Sequence, residues 1–474
     1  MMPINKKTRV VCTIGPSSSP LDVMNKLVDV GMNIVRMNFS HGSFEEHFEK
    51  VEHARIIEKE RGIIIPIMLD TKGPEIRTHN FEGGHCTYEK GDVVRVYTKE
   101  VLGDRTKFSV TYPALYEDCK VGDVIRLDDG NVGFKVTGKD EKEHALIAEC
   151  LNKHTIKDER GVNCPDTHLN MPYLSEKDKA DLIWGCEFAH VDYISASFIR
   201  NKQDIDDIRK LLKEHGGEHI QIISKVENTE AIEKLDEVIE NSDGLMVARG
   251  DMGVEVNPED VPLIQREMLE KARHLGKPII TATQMLDSMK HNPNPTRAEV
   301  SDVANAVLQG SDGVMLSAES ANGEYPVESA AMEARISRKM ESCMDYKAFA
   351  EEGWKYSDHS INDAIGYNVA STSLLLKTAL TVAFTKDGVV ARHISKFLPY
   401  NPLLVATTTR EAATYACLSY GVTSTIVDKL PTSIIEANKV AVKLAKDAGI
   451  TSGKILVVWG EDNVPSGVNI VDVK

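Results

Sequence analysis

The chain has 474 residues, 42% hydrophobic and 27% charged, enough for two or three folded domains with at least one large core. Its formal net charge of -16 excludes general binding to nucleic acid or anionic membranes, so anionic substrates would need positive charge gathered locally or supplied by metal ions. The opening MMPINKKTRV lacks the apolar stretch of a signal peptide and no run approaches a membrane span, which predicts a cytoplasmic protein.

Short apolar runs recur in chain order: RVVCTI (9–14), MNIVRMNFS (32–40), IIIPIMLD (63–70), VDYISASF (191–198), IQIISKVE (220–227), GLMVARGD (244–251), PIITATQ (278–284) and GVMLSAES (313–320). Turn formers precede most of them, and the stretches between, such as SPLDVMNKLVDV and NKQDIDDIRKLLKEH, carry apolar residues at helical spacing. Continuous hydrophobic strands alternating with helices predict an α/β fold, a parallel (β/α)8 TIM barrel.

The third unit is interrupted. After Asp70 the expected helix begins only at Ser175, where SEKD reads as a capping box. Between them DVVRVY, KFSVTY, DVIRL and NVGFKV alternate in polarity and are bounded by KGD, VGD and DDGN turns, which predicts an inserted small antiparallel β domain. KDEKEH (139–144) reads as a solvated hairpin. From about residue 346, LTVAFT, PLLVATT, STIVD and KILVVWG alternate with helical stretches and predict an open α/β domain. The expected boundaries are therefore 1–70 with 171–345 for the barrel, 71–170 for the insert and 346–474 for the C-terminal domain.

The eight cysteines are scattered, with neither CxxC nor Cys/His zinc spacing, and read as reduced thiols that mostly serve as small core hydrophobes. Neither GxxxxGK[ST] nor GxGxxG occurs, so neither familiar glycine loop supports nucleotide binding.

Barrels of this kind place their active sites at the C-terminal ends of the strands. There the second run carries Arg36, Asn38 and Ser40, the third ends in Asp70, the fourth at Ser197, and the fifth holds Lys225 and Glu227. The sixth ends in Arg249 and Asp251, the seventh around Thr283, the eighth around Ser317 and Glu319. Period two puts Lys225 and Glu227 on one face of their strand. Alone, that pair fits a surface ion pair as well as a functional one; the convergence of so many charges inside apolar runs favours function. Asn38 and Ser40 also fit a simple cap of the turn, and His41 a surface histidine.

Glu227 and Asp251 offer two hard oxygen ligands without His or Cys, which suits Mg2+ or Mn2+ better than zinc. Lys225 offers a point charge for a phosphoryl group and Arg36 a planar fork for phosphate or carboxylate. The residue types point to a metal-dependent enzyme acting on phosphorylated or enolate-forming acids.

NIVRMNFSHG (33–42), LDTKGPEIRT (69–78), IISKVENTEAI (222–232), MVARGDMGVE (246–255), TATQMLDSM (281–289) and PTRAEVSDVANAVLQGSDGVMLSAES (295–320) together resemble the pyruvate kinase family. With domain order, the resemblance spans essentially the whole chain. It implies transfer of phosphate from phosphoenolpyruvate to Mg·ADP, giving ATP and pyruvate in the last step of glycolysis, by a K+-dependent homotetramer. Carried over, Glu227 and Asp251 would hold the divalent metal, Lys225 and Arg36 the transferring phosphoryl group, and the Gly250–Asp251 backbone with Thr283 the substrate carboxylate. Thr283 would also stand on the side where the enolate is protonated. Asn38, Ser40, Asp70 and Thr71 match the monovalent-cation site, and Glu75 the residue type that accompanies K+ dependence. Nucleotide would meet Asn38, Phe39, Ser40, His41, Arg77 and Arg160, the last an arginine where lysine is usual. SAES stands in place of the more usual SGE[ST].

The effector region departs from the family's pattern. TKDGVVAR (385–392) places Asp387 and Val389 where phosphate-binding hydroxyls are usual, and WGEDNVPSG adds Glu461 and Asp462, so activation by fructose 1,6-bisphosphate is expected to be weak or absent. Two other readings are a Mg2+-dependent enolate lyase or aldolase on the same barrel, and a non-catalytic regulatory paralogue. Arg77, Arg160 and Lys225 argue against the first, and the occupied charged positions against the second.

Overall fold

The computed structural model describes residues 6–474 apart from 166, 462 and 463. Strands β1 (Arg9–Thr13), β2 (Ile34–Asn38), β3 (Ile67–Asp70), β4 (Tyr193–Ala196), β5 (Gln221–Val226), β6 (Gly244–Ala248), β7 (Ile279–Ala282) and β8 (Gly313–Leu316) close a barrel. Each pairs in parallel with its neighbours, β8 returning to β1. Every strand is covered on both faces, which is why each reads as an unbroken apolar run. Val11, Ile34, Met68, Tyr193, Ile223, Met246, Ile280 and Met315, one from each strand, fill the lumen as a single buried cluster, joined by Leu418 from the C-terminal domain.

The strands stop earlier than the apolar runs suggest. β6 ends at Ala248, and Arg249–Glu255 is a short helix, so Asp251 sits on that helix and not on a strand. Glu227 lies one residue beyond β5, and β8 ends at Leu316. Backbone hydrogen bonding passes from sheet to helix within these runs, a change that side-chain hydrophobicity does not register.

The insert leaves after β3 and returns at the helix Glu176–Trp184, whose N-cap Ser175 forms the predicted capping box with Asp178. The other oxygen of Asp178 accepts from Gly73 N at 3.0 Å, tying the departing chain to the returning one. The domain is a seven-stranded sheet with a separate two-stranded pair. Its strand pairings are antiparallel except Val93–Tyr97 against Lys107–Ser109, which run parallel, and an isolated bridge from Phe81 to Gly103 is parallel too, a correction to the antiparallel expectation. An antiparallel bridge from Thr78 to Val110 joins the two edge strands, so the sheet closes on itself around a core that includes Tyr88, Phe108 and Phe134. Residues 141–144 form the exposed hairpin turn that KDEKEH predicts.

The C-terminal domain is a five-stranded sheet, four strands parallel, completed by an antiparallel strand Val464–Val473 that the apolar pattern did not reveal. It is pinned under the barrel by polar contacts: Arg9 Nη1 donates to Val422 O at 2.7 Å, and Tyr420 N to Asp312 Oδ1 at 2.7 Å. Seven of the eight cysteines are buried and all are free, Cys343 alone being exposed. Among the described residues no helix is long and apolar enough to cross a membrane.

Candidate active site

Register at the C-terminal end of the barrel decides which polar side chains meet. Parallel pairing sets Thr13 beside Arg36 and Asn38 beside Asp70, while Ser195 pairs with Asp70 across β4. Arg36 donates through Nε to Asp70 Oδ2 at 2.9 Å and through Nη1 to Thr13 Oγ1 at 2.7 Å. Its guanidinium is thus held flat before any ligand arrives.

Lys225, on β5, reaches three oxygens. Its Nζ lies 2.8 Å from Ser197 Oγ, 3.3 Å from Asp70 Oδ1 and 2.9 Å from Glu227 Oε1. Burial alone would lower the ammonium's pKa, but the Asp70 and Glu227 carboxylates outweigh it and hold the group well above the ordinary lysine value. Burial likewise works against ionisation of Asp70, and the charges of Arg36 and Lys225 outweigh it, leaving that pKa below the usual one. Both partners are therefore charged.

Glu227 is fully buried, and here burial dominates: it pushes the carboxyl up to about 8 against the pull of Lys225, and Asp251 adds to the rise. Oε2 accepts from Phe198 N at 2.6 Å. Oε1 is ion-paired with the Lys225 ammonium at 2.9 Å. Burial and the nearby Asp251 carboxylate both oppose ionisation of Glu227, and a hard divalent cation between the two would relieve that cost. Among the described residues no cluster of three or more His, Cys, Asp or Glu forms a metal cage, so two protein carboxylates would hold such an ion with water and substrate oxygens.

A cleft opens over this cluster and is lined by Arg36, Asn38, Ser40, His41, Asp70, Glu75, Arg77, Lys225, Glu227, Asp251 and Thr283. Of the predicted residues, four stand outside it. Phe39 is buried and stacks on His47 at 4.0 Å, so its side chain belongs to the core. Thr71 is buried behind the cleft, accepting from Ser197 N at 3.1 Å. Arg160 lies across on the insert, 3.7 Å from Asp128 Oδ1. Gly250 donates its N–H to Thr283 Oγ1 at 2.8 Å, so that amide and hydroxyl meet at the cleft edge.

Asn38 Oδ1 accepts from Ser40 N at 3.0 Å, so the turn-capping reading of Asn38 holds alongside its place in the cleft. Glu75 pairs with Arg77 at 2.6 Å and with Lys72 at 3.4 Å. Two rim charges turn away. Arg249 binds Asp302 and the carbonyls of Ala282 and Thr283, bracing the loop after β7. Glu319 is buried and accepts from Ser317 N and Leu286 N, which makes it a loop support. The residues that sequence reasoning left without a role are Thr13 and the Ser197–Phe198 step. A threonine inside an apolar strand carries no signal, and Phe198 adopts φ 56°, a left-handed backbone that phenylalanine does not advertise.

A second cleft adjoins the first and shares Arg36, Asn38 and His41 with it. The insert reaches the barrel rim where Asn163 Nδ2 donates to Glu255 Oε1 at 2.9 Å and Arg126 to Val254 O.

Comparison with known proteins gives the following. The family model described as pyruvate kinase, barrel domain, matches residues 5–330, and that described as pyruvate kinase, alpha/beta domain, matches residues 363–474. The pyruvate kinase of Geobacillus stearothermophilus is 43% identical over 96% of this chain and 77% of its own length. That of Bacillus licheniformis is 44% identical over the same shares. The crystal structure of a pyruvate kinase from Cryptosporidium parvum superposes with a TM-score of 0.93 at 33% identity, covering 99% of this chain and 97% of that one.

Proposed function

The chain belongs to the pyruvate kinase family of glycolytic enzymes, and on that premise we propose that it transfers the phosphoryl group of phosphoenolpyruvate to ADP with K+ and Mg2+ or Mn2+. The observation that carries the reading is the buried cluster of Arg36, Asp70, Lys225 and Glu227, in which two cations and the Glu227 carboxyl face one cleft. An enolate lyase needs the carboxylates and has no use for a phosphoryl-sized pair of cations, and a non-catalytic paralogue has no need to keep Lys225 charged and buried.

In this reading Glu227 and Asp251 would hold the divalent ion, which would supply positive charge against the negative charge of the reacting groups. Arg36 and Lys225 bind the phosphoryl group of phosphoenolpyruvate. As the bond from phosphorus to the enol oxygen breaks, its electron pair stays on that oxygen, and an oxygen of the ADP β-phosphate forms the new bond. Lys225, held by fixed partners, stabilises charge on the equatorial oxygens without reorganising. The Gly250–Asp251 backbone and Thr283 orient the carboxylate, and water on the Thr283 side protonates the enolate carbon to give pyruvate.

The adjoining cleft, which His41 lines, takes the nucleotide, and its phosphates would meet Arg77 in the first cleft and Arg160 across on the insert. Asn38, Ser40, Asp70 and Thr71 would hold K+. The assembly is a cytoplasmic homotetramer. In the effector loop, Asp387 Oδ1 accepts from Val389 N and from Thr385 Oγ1, at 3.0 and 3.1 Å, engaging the donors that a sugar phosphate would use, which supports weak or absent activation by fructose 1,6-bisphosphate. Asp462 lies outside the described residues. The test of the reading is pyruvate formation from phosphoenolpyruvate coupled to lactate dehydrogenase. Turnover that requires ADP, divalent metal and K+ is the expected result, and no ADP-dependent pyruvate would sink it.

A further inference from the structure

We propose that Ser197 is the positioning residue for the Lys225 ammonium. Its hydroxyl stands between that ammonium and the backbone just after β3. Ser197 Oγ donates its only proton to Thr71 O at 2.6 Å, which leaves a lone pair directed at Lys225 Nζ, 2.8 Å away. Its other candidate acceptor, Asp70 Oδ1, is farther at 3.4 Å. The serine is itself clamped: its N–H donates to Thr71 Oγ1 at 3.1 Å, and Thr71 N donates to Ser195 O at 3.0 Å. Only 2% of Ser197 is exposed, so water does not compete for the contact.

The next residue acts on the other arm of the site. Phe198 N donates to Glu227 Oε2 at 2.6 Å from a left-handed backbone at φ 56°, a conformation kept where its surroundings over-determine it. One dipeptide at the end of β4 thus holds both charges of the β5 terminus, the lysine through a side chain and the glutamate through a main-chain amide. Gly73 packs against the same step: a Cβ there would stand 2.8 Å from Ser197 O and 3.1 Å from the Phe198 ring.

The two arms are separable because Ser197→Ala removes the hydroxyl and leaves the Phe198 amide. This assignment rests on the phosphotransfer reading, and a wild-type chain without ADP-dependent turnover would fail that reading first, before Ser197 is tested. In an active enzyme, Ser197→Ala is expected to lower kcat for phosphoryl transfer about 10- to 100-fold, the loss of one hydrogen bond to a charged group. The KM for phosphoenolpyruvate should stay within about twofold, because ground-state binding keeps Arg36 and the metal ligands. Metal-dependent exchange of the pyruvate methyl protons, which needs Glu227 and Asp251 and not the Lys225 arm, should remain near wild type, and Tm should fall by no more than a few degrees, because Lys225 keeps its pairs with Asp70 and Glu227. Ser197→Cys, close in size and a weaker acceptor, should fall between the two in kcat. Unchanged kcat in Ser197→Ala, or an equal fall in transfer and exchange, would overturn the assignment.

Discussion

The Lys225 ammonium stands 2.9 Å from Glu227 Oε1, two residues along the same chain, and both side chains are buried. The pair is also held from outside. Lys225 directs hydrogen bonds to Ser197 and Asp70, while the second oxygen of Glu227 accepts from the Phe198 amide. Each charge is therefore positioned from outside the pair and keeps a face toward the cleft, the arrangement needed if one is to meet a phosphoryl group and the other a metal ion.

Gly73 couples the departure of the insert to the site. Its φ of 73° favours glycine, and a side chain would press on Ser197. Gly73→Ala should lose about 1–2 kcal/mol of stability in urea unfolding and lower kcat together with it. A fully active variant of wild-type stability would show that the close approach is dispensable.

A pH dependence of stability should originate in the C-terminal domain. Burial opposes ionisation of Asp363, yet hydrogen bonds from His393 and Lys396 hold its pKa down at about 2. A carboxyl depressed in the folded state adds stability that is present above its unfolded value of about 4 and is lost as pH falls through the folded value. Asp363→Asn leaves the buried Lys396 without its counter-charge and should cost about 3–5 kcal/mol at neutral pH. The gap from wild type, followed by denaturant unfolding, should narrow as pH drops from about 4 toward 2. A gap independent of pH would contradict the ion-pair account.

The effector loop makes its own prediction. With Asp387 occupying the amide of Val389, fructose 1,6-bisphosphate should leave the half-saturating phosphoenolpyruvate concentration unchanged within about twofold. A large leftward shift in saturation curves would mean that the phosphate displaces the carboxylate.

The barrel was legible because every strand is buried on both faces, and the charges that interrupt those runs marked its functional end. Arg36, Asp70, Lys225 and Glu227 come together as their positions suggested. Charge alone could not say which way a rim side chain turns: Arg249 and Glu319 sit at equivalent places and serve the loops. Nor could it show the left-handed step at Phe198 or the closure of the insert through Thr78 and Val110, which depend on backbone geometry and long-range pairing. The last strand, Val464–Val473, escaped because its polar face and Pro-Ser-Gly start hide the alternation.

The central claim is the division of labour between Lys225 and Glu227, and Lys225→Met tests it most directly. Phosphoryl transfer and metal-dependent exchange of pyruvate methyl protons are measured on the same preparation. Transfer should fall by about 10²-fold or more, the scale of removing one preorganised charge from a transition state. Exchange should largely survive, because Glu227 keeps the Phe198 amide and Asp251 is untouched. Equal loss of both activities would contradict the account.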